Sequence, residues 1–262
     1  MNKNSVWSLF LVQARVIGAL IMRELHTRFG RENLGYLWIV GEPILFCAGV
    51  SIVWTAIRPA HEHGLPTTAI VITGYVPLTM WRHCLARSIK AFEANGSLLF
   101  HRQVTPLDIL LGRYILEVIG TLIAGLLVTL GAIGLGFMKA PVNYEILYLG
   151  IFLHMLFCLG TSLIAAPLSE MSDYLEKLVG VLGYLSLPLS GAFTMVDWIK
   201  PHYRWILLLS PSVNNVEMIR EGQFGYRAHA HYDISYDFAA CLVMIVVGLF
   251  LTLRVRKYLV VQ

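Results

Sequence analysis

The chain contains a series of apolar blocks, each long enough for an α-helix to cross a lipid bilayer. The blocks occupy residues 34–57, 67–85, 107–137, 144–168, 178–196 and 236–253. An α-helix needs about 20 mostly apolar residues to cross the hydrocarbon core of a bilayer. Only 14% of the residues are charged, whereas about 25% are charged in an ordinary soluble domain. The blocks therefore predict an all-α integral membrane protein with six transmembrane helices.

Residues 5–30, ahead of the first block, predict an amphipathic helix. One apolar stripe follows steps of three and four residues: Trp7, Leu11, Ala14, Gly18, Ile21, Leu25 and Phe29. Charged residues such as Arg15, Arg23 and Glu24 occupy the rest of the surface. A helix of this kind lies in the membrane interface, or it packs on the protein's own spans, and the two placements are compatible.

Two polar segments interrupt the blocks. Residues 86–106 form a connection between the second and third spans, and residues 197–235 are too polar to cross the bilayer. The latter segment nevertheless predicts two short helices, with Pro201 and Pro211 at their first positions, Ser210 as a cap and Gly222 as an end. Backed by other helices, such a pair can enter the bilayer without crossing it. We predict a re-entrant helical pair before the last span, within a single domain covering 1–262.

The distribution of lysine and arginine predicts the orientation. One side carries Lys3, Arg15, Arg23, Arg28, Arg31, Arg87, Lys90, Arg102, Lys177, Arg254, Arg256 and Lys257. The short loops on the other side carry only Arg58 and Lys139. Cytoplasmic loops carry the excess of basic residues. Both termini are therefore predicted to be cytoplasmic, in a multi-pass membrane protein.

The sequence shows no catalytic machinery. Glycines 131, 134 and 136 precede no Lys-Ser/Thr pair, so they do not form a phosphate loop. Residues 61–63 and 229–231 each carry two histidines, but neither group has a third ligand at a recognisable metal spacing. Basic residues flank the apolar blocks instead of forming a nucleic-acid-binding face. We expect a chain that is not itself an enzyme and that binds no metal and no nucleic acid.

Carboxylates inside apolar spans are informative because a charge in the membrane is costly. Glu42 and Glu117 lie within the first and third spans. They belong to a polar pathway, or they pair with other groups, as Glu117 would with Arg113 at four-residue spacing. Arg82 and Arg113 are closer to span ends, where a long side chain can reach water.

Aromatic residues collect towards the span ends and allow two interpretations. They form an interfacial belt, or they form a track on which sugar rings stack. Together with Glu42, the candidates for a substrate path are Tyr36, Trp38, Trp54, Tyr75, Trp81, Tyr184, Phe193 and Trp198. Trp54, Tyr75 and Tyr184 lie deeper than a belt requires, which makes them the better candidates for the path.

Several stretches resemble the ABC-2 type permeases in their order and spacing. "RELHTRFG" at 23–30, "NLGYLW" at 33–38 and Glu42-Pro43 are similar to that family's interface helix and first span. Residues 95–99 and 105–108 resemble its coupling segment, and residues 209–225 resemble its stretch before the last span. Two departures are Ser210, where many relatives have Asn, and Phe100-His101, where many have a basic pair. Within the family, the polysaccharide exporters are most similar, above all the permeases of capsule export.

The resemblance implies the mechanism and the partners. Two copies would form a homodimer and bind two ABC ATPase subunits, which would hold ATP and Mg, so that this chain needs no cofactor. ATP hydrolysis would then move a lipid-linked polysaccharide outward across the bacterial inner membrane, whose lipids surround the chain. A periplasmic co-polymerase or adaptor is a further partner that the family allows. The residues expected to contact the ATPase are Lys90, Phe92, Glu93, Asn95, Leu98 and Leu99. Our own inference adds that Arg28, Arg31, Arg82 and Arg87 hold the anionic end of the substrate.

Other functions stay open at this point. Within the same class, the cargo would be an O-antigen, a teichoic acid or a hydrophobic drug. From a different class, an ion-coupled secondary transporter would use Glu42 and Glu117 as proton sites, and inverted repeats would support it. An enzyme acting on lipids is the third alternative.

Overall fold

The computed structural model describes residues 6–29, 35–57, 61–62, 64–99, 104–185, 188 and 190–259. The helices in these ranges are α1 (Val6–Phe29), α2 (Gly35–Ile57), α3 (Thr67–Ser88), α4 (Gly96–Leu99), α5 (Pro106–Gly134), α6 (Tyr144–Met171), α7 (Asp173–Leu185), α8 (Pro201–Leu208), α9 (Pro211–Phe224) and α10 (Ile234–Leu259). Short 3₁₀ turns cover Glu93–Asn95, Val196–Trp198 and Gly225–Ala228. A two-residue antiparallel pair, β1 (His61–Glu62) and β2 (Leu65–Pro66), precedes α3. The predominantly helical architecture agrees with the prediction.

Three helices in the described part of the chain are long and apolar enough to cross a membrane. They are Pro106–Gly134, Tyr144–Met171 and the first part of α10, Ile234–Val255. Within α2, Val40–Trp54 is a shorter apolar stretch. Helix α3 has 22 residues, but polar side chains such as Arg82 and Arg87 make its second half less apolar. These helices fit a multi-pass membrane protein.

The structure corrects the predicted fifth span at 178–196. Helix α7 has 13 residues and ends at Leu185. At 1.5 Å per residue it measures about 20 Å, which is shorter than the roughly 30 Å hydrocarbon core. Residues 190–195 are not helical, and Gly191 adopts a φ of +72°, a conformation that costs glycine little. Since Pro188 also has no N–H to donate to a helix, one continuous helix over 178–196 is wrong.

The helices of the bundle share two ends, which we name after their short helices. At the α4 end, the last turns of α3 and the first turns of α5 meet α1 and the 89–99 segment. At the α9 end, helix α6 begins beside α9, where the backbone N–H groups of Val142 and Asn143 donate to the Gly222 carbonyl at 3.0 and 2.9 Å. Helix α10 connects the two ends, because Val255 near its C-terminus packs with Phe92.

Residues at the helix termini account for most of the observed boundaries. Thr105 and Asp108 form a reciprocal capping box at the start of α5. Pro201 and Pro211 occupy the first positions of α8 and α9, as predicted. Ser210 precedes α9, but its side chain makes no capping hydrogen bond.

The predicted end of α9 at Gly222 is wrong. The helix continues to Phe224, and Gly225, with a φ of +62°, ends it. Gly222 is instead a packing position, because a Cβ there would lie 2.6 Å from the Leu147 Cβ of α6. The glycine therefore permits the close approach of α6 and α9.

Helix α1 packs on the protein's own bundle. A Cβ at Gly112 of α5 would be in ordinary contact, 3.4 Å, with the Leu20 Cβ. The Gln13 amide donates to the Asp108 carboxylate, and the Arg113 Nε lies 3.4 Å from the Glu24 Oε1. One face of α1 is thus used for packing, which is one of the two placements that the sequence allowed.

A buried ion pair organises the α9 end. Arg220 and Glu217 of α9 are 0% and 1% exposed, and their charged groups lie 3.7 Å apart. Arg220 donates to the carbonyls of Ala192 and Thr194, both at 2.8 Å. The Glu217 carboxylate accepts hydrogen bonds from the backbone N–H groups of Val196 and His231 at 3.2 and 3.1 Å. We call this set the α9 anchor; it fixes the 192–196 segment and residue 231 to α9.

Candidate functional site

A cleft lies where α2, α3 and α7 meet, towards the α4 end. Its volume is about 290 Å³, and it is lined by Glu42, Phe46, Tyr75, Thr79, Arg82, His83, Leu85, Ala86, Ile89, Val179, Gly180, Gly183 and Tyr184. Four of the predicted site residues line this one cleft: Glu42, Tyr75, Arg82 and Tyr184. They come from the three helices α2, α3 and α7, so their convergence is a property of the fold.

Helix α3 supplies most of the wall. Tyr75, Thr79, Arg82 and His83 follow steps of three and four residues, which place them on one face of the helix. The Thr79 hydroxyl donates to the Tyr75 carbonyl at 2.8 Å. The tyrosine ring lies 6.3 Å from the ring of Phe46, in a stacked arrangement.

A charged network connects three helices beside the cleft. The Nε2 of His83 lies 3.7 Å from the Glu42 carboxylate, and its Nδ1 lies 3.5 Å from the Glu117 carboxylate. The Arg87 Nε lies 3.5 Å from the other Glu117 oxygen. The side chain of Glu117 is only 5% exposed, whereas that of Glu42 is 41% exposed. The two contacts of His83 become ion pairs when its imidazole is protonated. We call Glu42, His83, Arg87 and Glu117 the His83 network.

The partners of Glu117 in this network differ from the example that its spacing suggested, and the network adds one residue. Glu117 approaches His83 and Arg87 rather than Arg113, which pairs with Glu24 and donates to the Arg87 carbonyl at 3.1 Å. Sequence reasoning did not select His83 as a site residue. The available signal was a histidine next to Arg82 on the polar face of an otherwise apolar span.

The other predicted aromatics whose side chains the structure describes do not line the cleft. Trp54 stacks on Phe193 with 5.5 Å between ring centroids. Trp81 is 8% exposed and stacks on Phe157 at 6.2 Å, inside the core. Trp198 packs near Met195 at the α9 end. The side chains of Tyr36, Trp38 and Arg28, and the whole of Arg31, lie outside the described residues.

The predicted ATPase-contact residues divide into a buried and an accessible group. Phe92 is fully buried, and Leu99 packs against the same cluster. Asn95 is 4% exposed, and its Oδ1 accepts a hydrogen bond from Arg23 of α1 at 2.8 Å. Lys90, Glu93 and Leu98 are at least partly accessible.

Three acidic side chains shape the accessible part of this segment. The Lys90 Nζ lies 3.1 Å from the Glu93 carboxylate and 3.5 Å from Asp173. The hydrogen bond to Glu93 raises the pKa of Lys90 above its ordinary value. The Glu170 carboxylate accepts hydrogen bonds from the backbone N–H groups of Phe92 and Glu93 at 2.9 and 3.0 Å. The segment is thus a fixed platform attached to both α1 and α6.

Comparison with known proteins identifies the family to which this architecture belongs. The profile of the ABC-2 type transporter family matches residues 15–224, from α1 through the end of α9. This chain belongs to the ABC-2 type transporter family. The match includes every residue that lines the cleft, the His83 network and the α9 anchor residues of helix α9 itself.

Relatives of this ABC-2 chain match it over nearly its whole length. The capsule polysaccharide export inner-membrane protein CtrC of Neisseria meningitidis serogroup B is 34% identical over 98% of this chain and 97% of its own. The corresponding BexB of Haemophilus influenzae is 35% identical, over 94% of this chain and 93% of its own. The polysialic acid transport protein KpsM of Escherichia coli is 28% identical over 92% of this chain and 93% of its own. The similarity extends over the α4 end, the cleft and the α9 end alike.

The cleft of this ABC-2 chain combines chemistry that suits a polar, ring-bearing ligand. Tyr75 and Tyr184 supply aromatic surface, Glu42 accepts hydrogen bonds, and Arg82 carries a positive charge. Aromatic rings with a few polar groups are a common lining for ligand sites. The cleft therefore offers binding groups for such a ligand beside the His83 network.

Proposed function

We propose that this chain is the membrane-spanning subunit of an ATP-driven exporter that moves a lipid-linked capsular polysaccharide across the bacterial inner membrane. The observation that carries the proposal is the similarity to CtrC and BexB over more than nine-tenths of the chain. The cleft supports it, because Glu42, Tyr75 and Tyr184 offer hydrogen-bonding and aromatic surface to sugar rings, and Arg82 offers a charge to an anionic lipid end. ATP hydrolysis belongs to two separate ABC ATPase subunits.

In this proposal six segments cross the membrane, the fifth as the short helix α7 together with the non-helical residues 190–195, and α8–α9 form a re-entrant pair on the outer side. The α4 end is cytoplasmic, since Arg15, Arg23, Arg87, Lys90 and Lys177 belong to it and cytoplasmic segments carry the excess of basic residues. Both chain termini are on that side. The cleft then opens near the cytoplasmic entrance to the export path.

The decisive experiment measures export in the native host. Deletion of the gene should remove capsular polysaccharide from the cell surface, while lipid-linked polymer accumulates inside the cell because synthesis continues. Expression of the intact chain from a plasmid should restore surface polymer. Normal surface polymer in the deletion strain would reject the proposed cargo.

We propose that the ATPase docks on the accessible face of the 90–98 segment and on α1. Replacement of both Glu93 and Leu98 by arginine should prevent co-purification of the ATPase. The two arginines add positive charge to a surface that is complementary to the ATPase. The variant should still insert and fold, since neither side chain is fully buried. A control substitution, Tyr226→Arg, changes a 96% exposed residue at the opposite end and should leave the complex intact. Unchanged co-purification of the double variant would reject the docking surface.

We propose that two copies pair through α2 and α7. The exposed apolar side chains of these helices include Leu45, Ile52, Val53, Val181 and Leu182, and a two-fold interface is the commonest closed symmetry. Cysteines introduced at Leu45 or Val181 should cross-link copy to copy, whereas Leu242→Cys on α10 should not. The four native cysteines are buried, which keeps the background low. Cross-linking through α10 alone would exclude this arrangement.

A further inference from the structure

The turn between α6 and α7 joins the 90–98 segment to one wall of the cleft. Helix α6 ends at Met171 and α7 begins at Asp173, so a single residue, Ser172, separates the two helices. Further along α7, Gly180 lines the cleft. It follows Asp173 by seven residues, which corresponds to about 10 Å along the helix. A displacement of the turn therefore displaces this wall of the cleft.

Hydrogen bonds attach the turn to the segment that carries the predicted ATPase-contact residues. One oxygen of the Glu170 carboxylate accepts from the backbone N–H groups of Phe92 and Glu93 at 2.9 and 3.0 Å. The Ser169 hydroxyl oxygen accepts from the backbone N–H of Lys90 at 3.0 Å. Hydrogen bonds to an ionised acceptor are stronger than those between neutral groups, and Ser169 and Phe92 are fully buried. The turn and the segment are thus held together as one unit.

The end of α6 is attached less completely to the rest of its own helix. Pro167 lies inside α6 and has no N–H to donate to the Leu163 carbonyl one turn earlier. At Leu163 itself α6 packs closely on α10, since a Cβ at Gly248 would lie 2.5 Å from the Leu163 Cβ. Sharp bends in helices usually occur at proline. Helix α6 therefore combines a part fixed on α10 with a last turn that can pivot at Pro167.

We propose that Glu170 is a positioning residue that passes the movement of the docked ATPase to the α7 wall of the cleft. The ATPase moves the 90–98 segment, Glu170 carries the displacement into the turn, and Pro167 lets the turn pivot while the rest of α6 stays on α10. The contact between Lys90 and Asp173, at 3.5 Å, attaches the first residue of α7 to the same segment. This role rests on the proposed function, because it requires an ATPase on that segment.

A cysteine in the cleft wall measures this movement. In Gly180→Cys the side chain enters open space, since a Cβ there would lie more than 4 Å from the other described elements. The four native cysteines are buried, so a water-soluble maleimide reacts chiefly with the introduced thiol. In the purified complex with the ATPase, ATP should change the rate of this reaction by at least about fivefold, the lower end of typical coupling between two sites.

Removal of the Glu170 carboxylate should abolish this ATP effect. Glu170→Ala, combined with Gly180→Cys, should still bind the ATPase and hydrolyse ATP, but the rate of thiol modification should no longer depend on ATP. In cells, Glu170→Ala should export little polymer. An ATP effect that persists in this variant would overturn the role of Glu170. Parallel loss of ATP hydrolysis and of the ATP effect would make Glu170 a structural residue instead.

Two further variants complete the test. Glu170→Gln keeps an oxygen that can accept from both N–H groups but lacks the charge, so it should retain part of the ATP effect. Glu145→Ala, which removes an exposed carboxylate at the α9 end, should retain all of it. Should Glu170→Ala fail to bind the ATPase, Glu170→Gln decides the question, and an undiminished ATP effect in that variant would overturn the proposal.

The thiol measurement also separates this role from the proposed function. It contains no glycan, so a different cargo would leave its result unchanged. Absence of an ATP effect in Gly180→Cys with Glu170 intact would reject the coupling to an ATPase as a whole. Persistence of the effect after removal of the carboxylate would reject Glu170 alone.

Discussion

The α9 anchor and the His83 network, at opposite ends of the bundle, hold their charges in different ways. At the α9 end, Arg220 and Glu217 are buried, and backbone groups form hydrogen bonds with both at 2.8–3.2 Å. At the α4 end, the contacts of the His83 network measure 3.5–3.7 Å, and Glu42 and Arg87 are 41% and 52% exposed. Short bonds to fixed backbone groups hold one geometry, whereas long contacts between side chains can exchange partners. We infer that the α9 anchor fixes the fold and that the His83 network is free to respond to a ligand.

The largest effect is expected from removal of the buried cation. In Arg220→Met the Glu217 carboxylate stays buried without its positive partner, and the Ala192 and Thr194 carbonyls lose their donors. Breaking a buried pair in this way costs roughly 3–5 kcal/mol. Thermal unfolding in detergent should reveal a strongly destabilised or unfolded protein.

Two further variants sharpen this test. Arg227→Met removes an exposed arginine that follows α9 closely in sequence and should melt like the unaltered protein. Arg220→Lys keeps the charge but lacks the planar fork that reaches two carbonyls. Its melting temperature should therefore lie between those of the Arg220→Met and Arg227→Met variants. Equal melting of the Arg220→Met and Arg227→Met variants would refute the role assigned to the α9 anchor.

A smaller effect is expected from Glu117, the most buried member of the His83 network. Glu117→Gln retains the shape but removes the charge that faces His83 and Arg87. Because Arg87 is half exposed, solvent screens part of the attraction, and we expect a loss of about 1–2 kcal/mol. The exposed carboxylate of Glu145 provides a matched control, since Glu145→Gln should change the melting temperature little. A loss as large as that of Arg220→Met would mean that the His83 network is as rigid as the α9 anchor.

The sequence predicted the helices better than it predicted their partners. The apolar blocks located α2 and α6 to within a few residues, because span length and polar boundaries are local properties. The block at 178–196 failed since its high apolar content concealed the helix-breaking effect of Pro188 and Gly191. Periodicity alone could not distinguish a continuous span from a helix followed by a buried loop.

The candidate site shows the same division between local and long-range information. Glu42 was recognisable because a carboxylate in an apolar block is unusual. His83 and its two carboxylates lie on three different helices, so only the folded structure brings them together. For Glu117, the partner that sequence spacing suggested, Arg113, contacts Glu24 of α1 instead. Pairs that form between helices depend on how the helices pack. Residue spacing within one helix carries no information about that packing.

The smallest effect on stability, and the most specific effect on function, is expected from Glu42. Its side chain is 41% exposed and its contact with His83 measures 3.7 Å, so its removal should change the free energy of unfolding by less than about 1 kcal/mol. If the carboxylate receives hydrogen bonds from sugar hydroxyls, Glu42→Leu should fold, dimerise and bind the ATPase, yet export little polymer. Glu42→Gln, which keeps the hydrogen-bonding capacity without the charge, should export an intermediate amount.

The measurements are surface polymer in cells and the melting temperature of the purified variants. Glu145→Leu, which removes an exposed carboxylate far from the cleft, should export normally. Failure of Glu42→Leu to assemble would instead make Glu42 a structural anchor comparable to Glu217, and the contrast between the two ends would disappear. Normal export by Glu42→Leu would show that this residue does not belong to the transport path. Successive units of the polymer must pass the cleft, so the loss of a substrate contact there would reduce export.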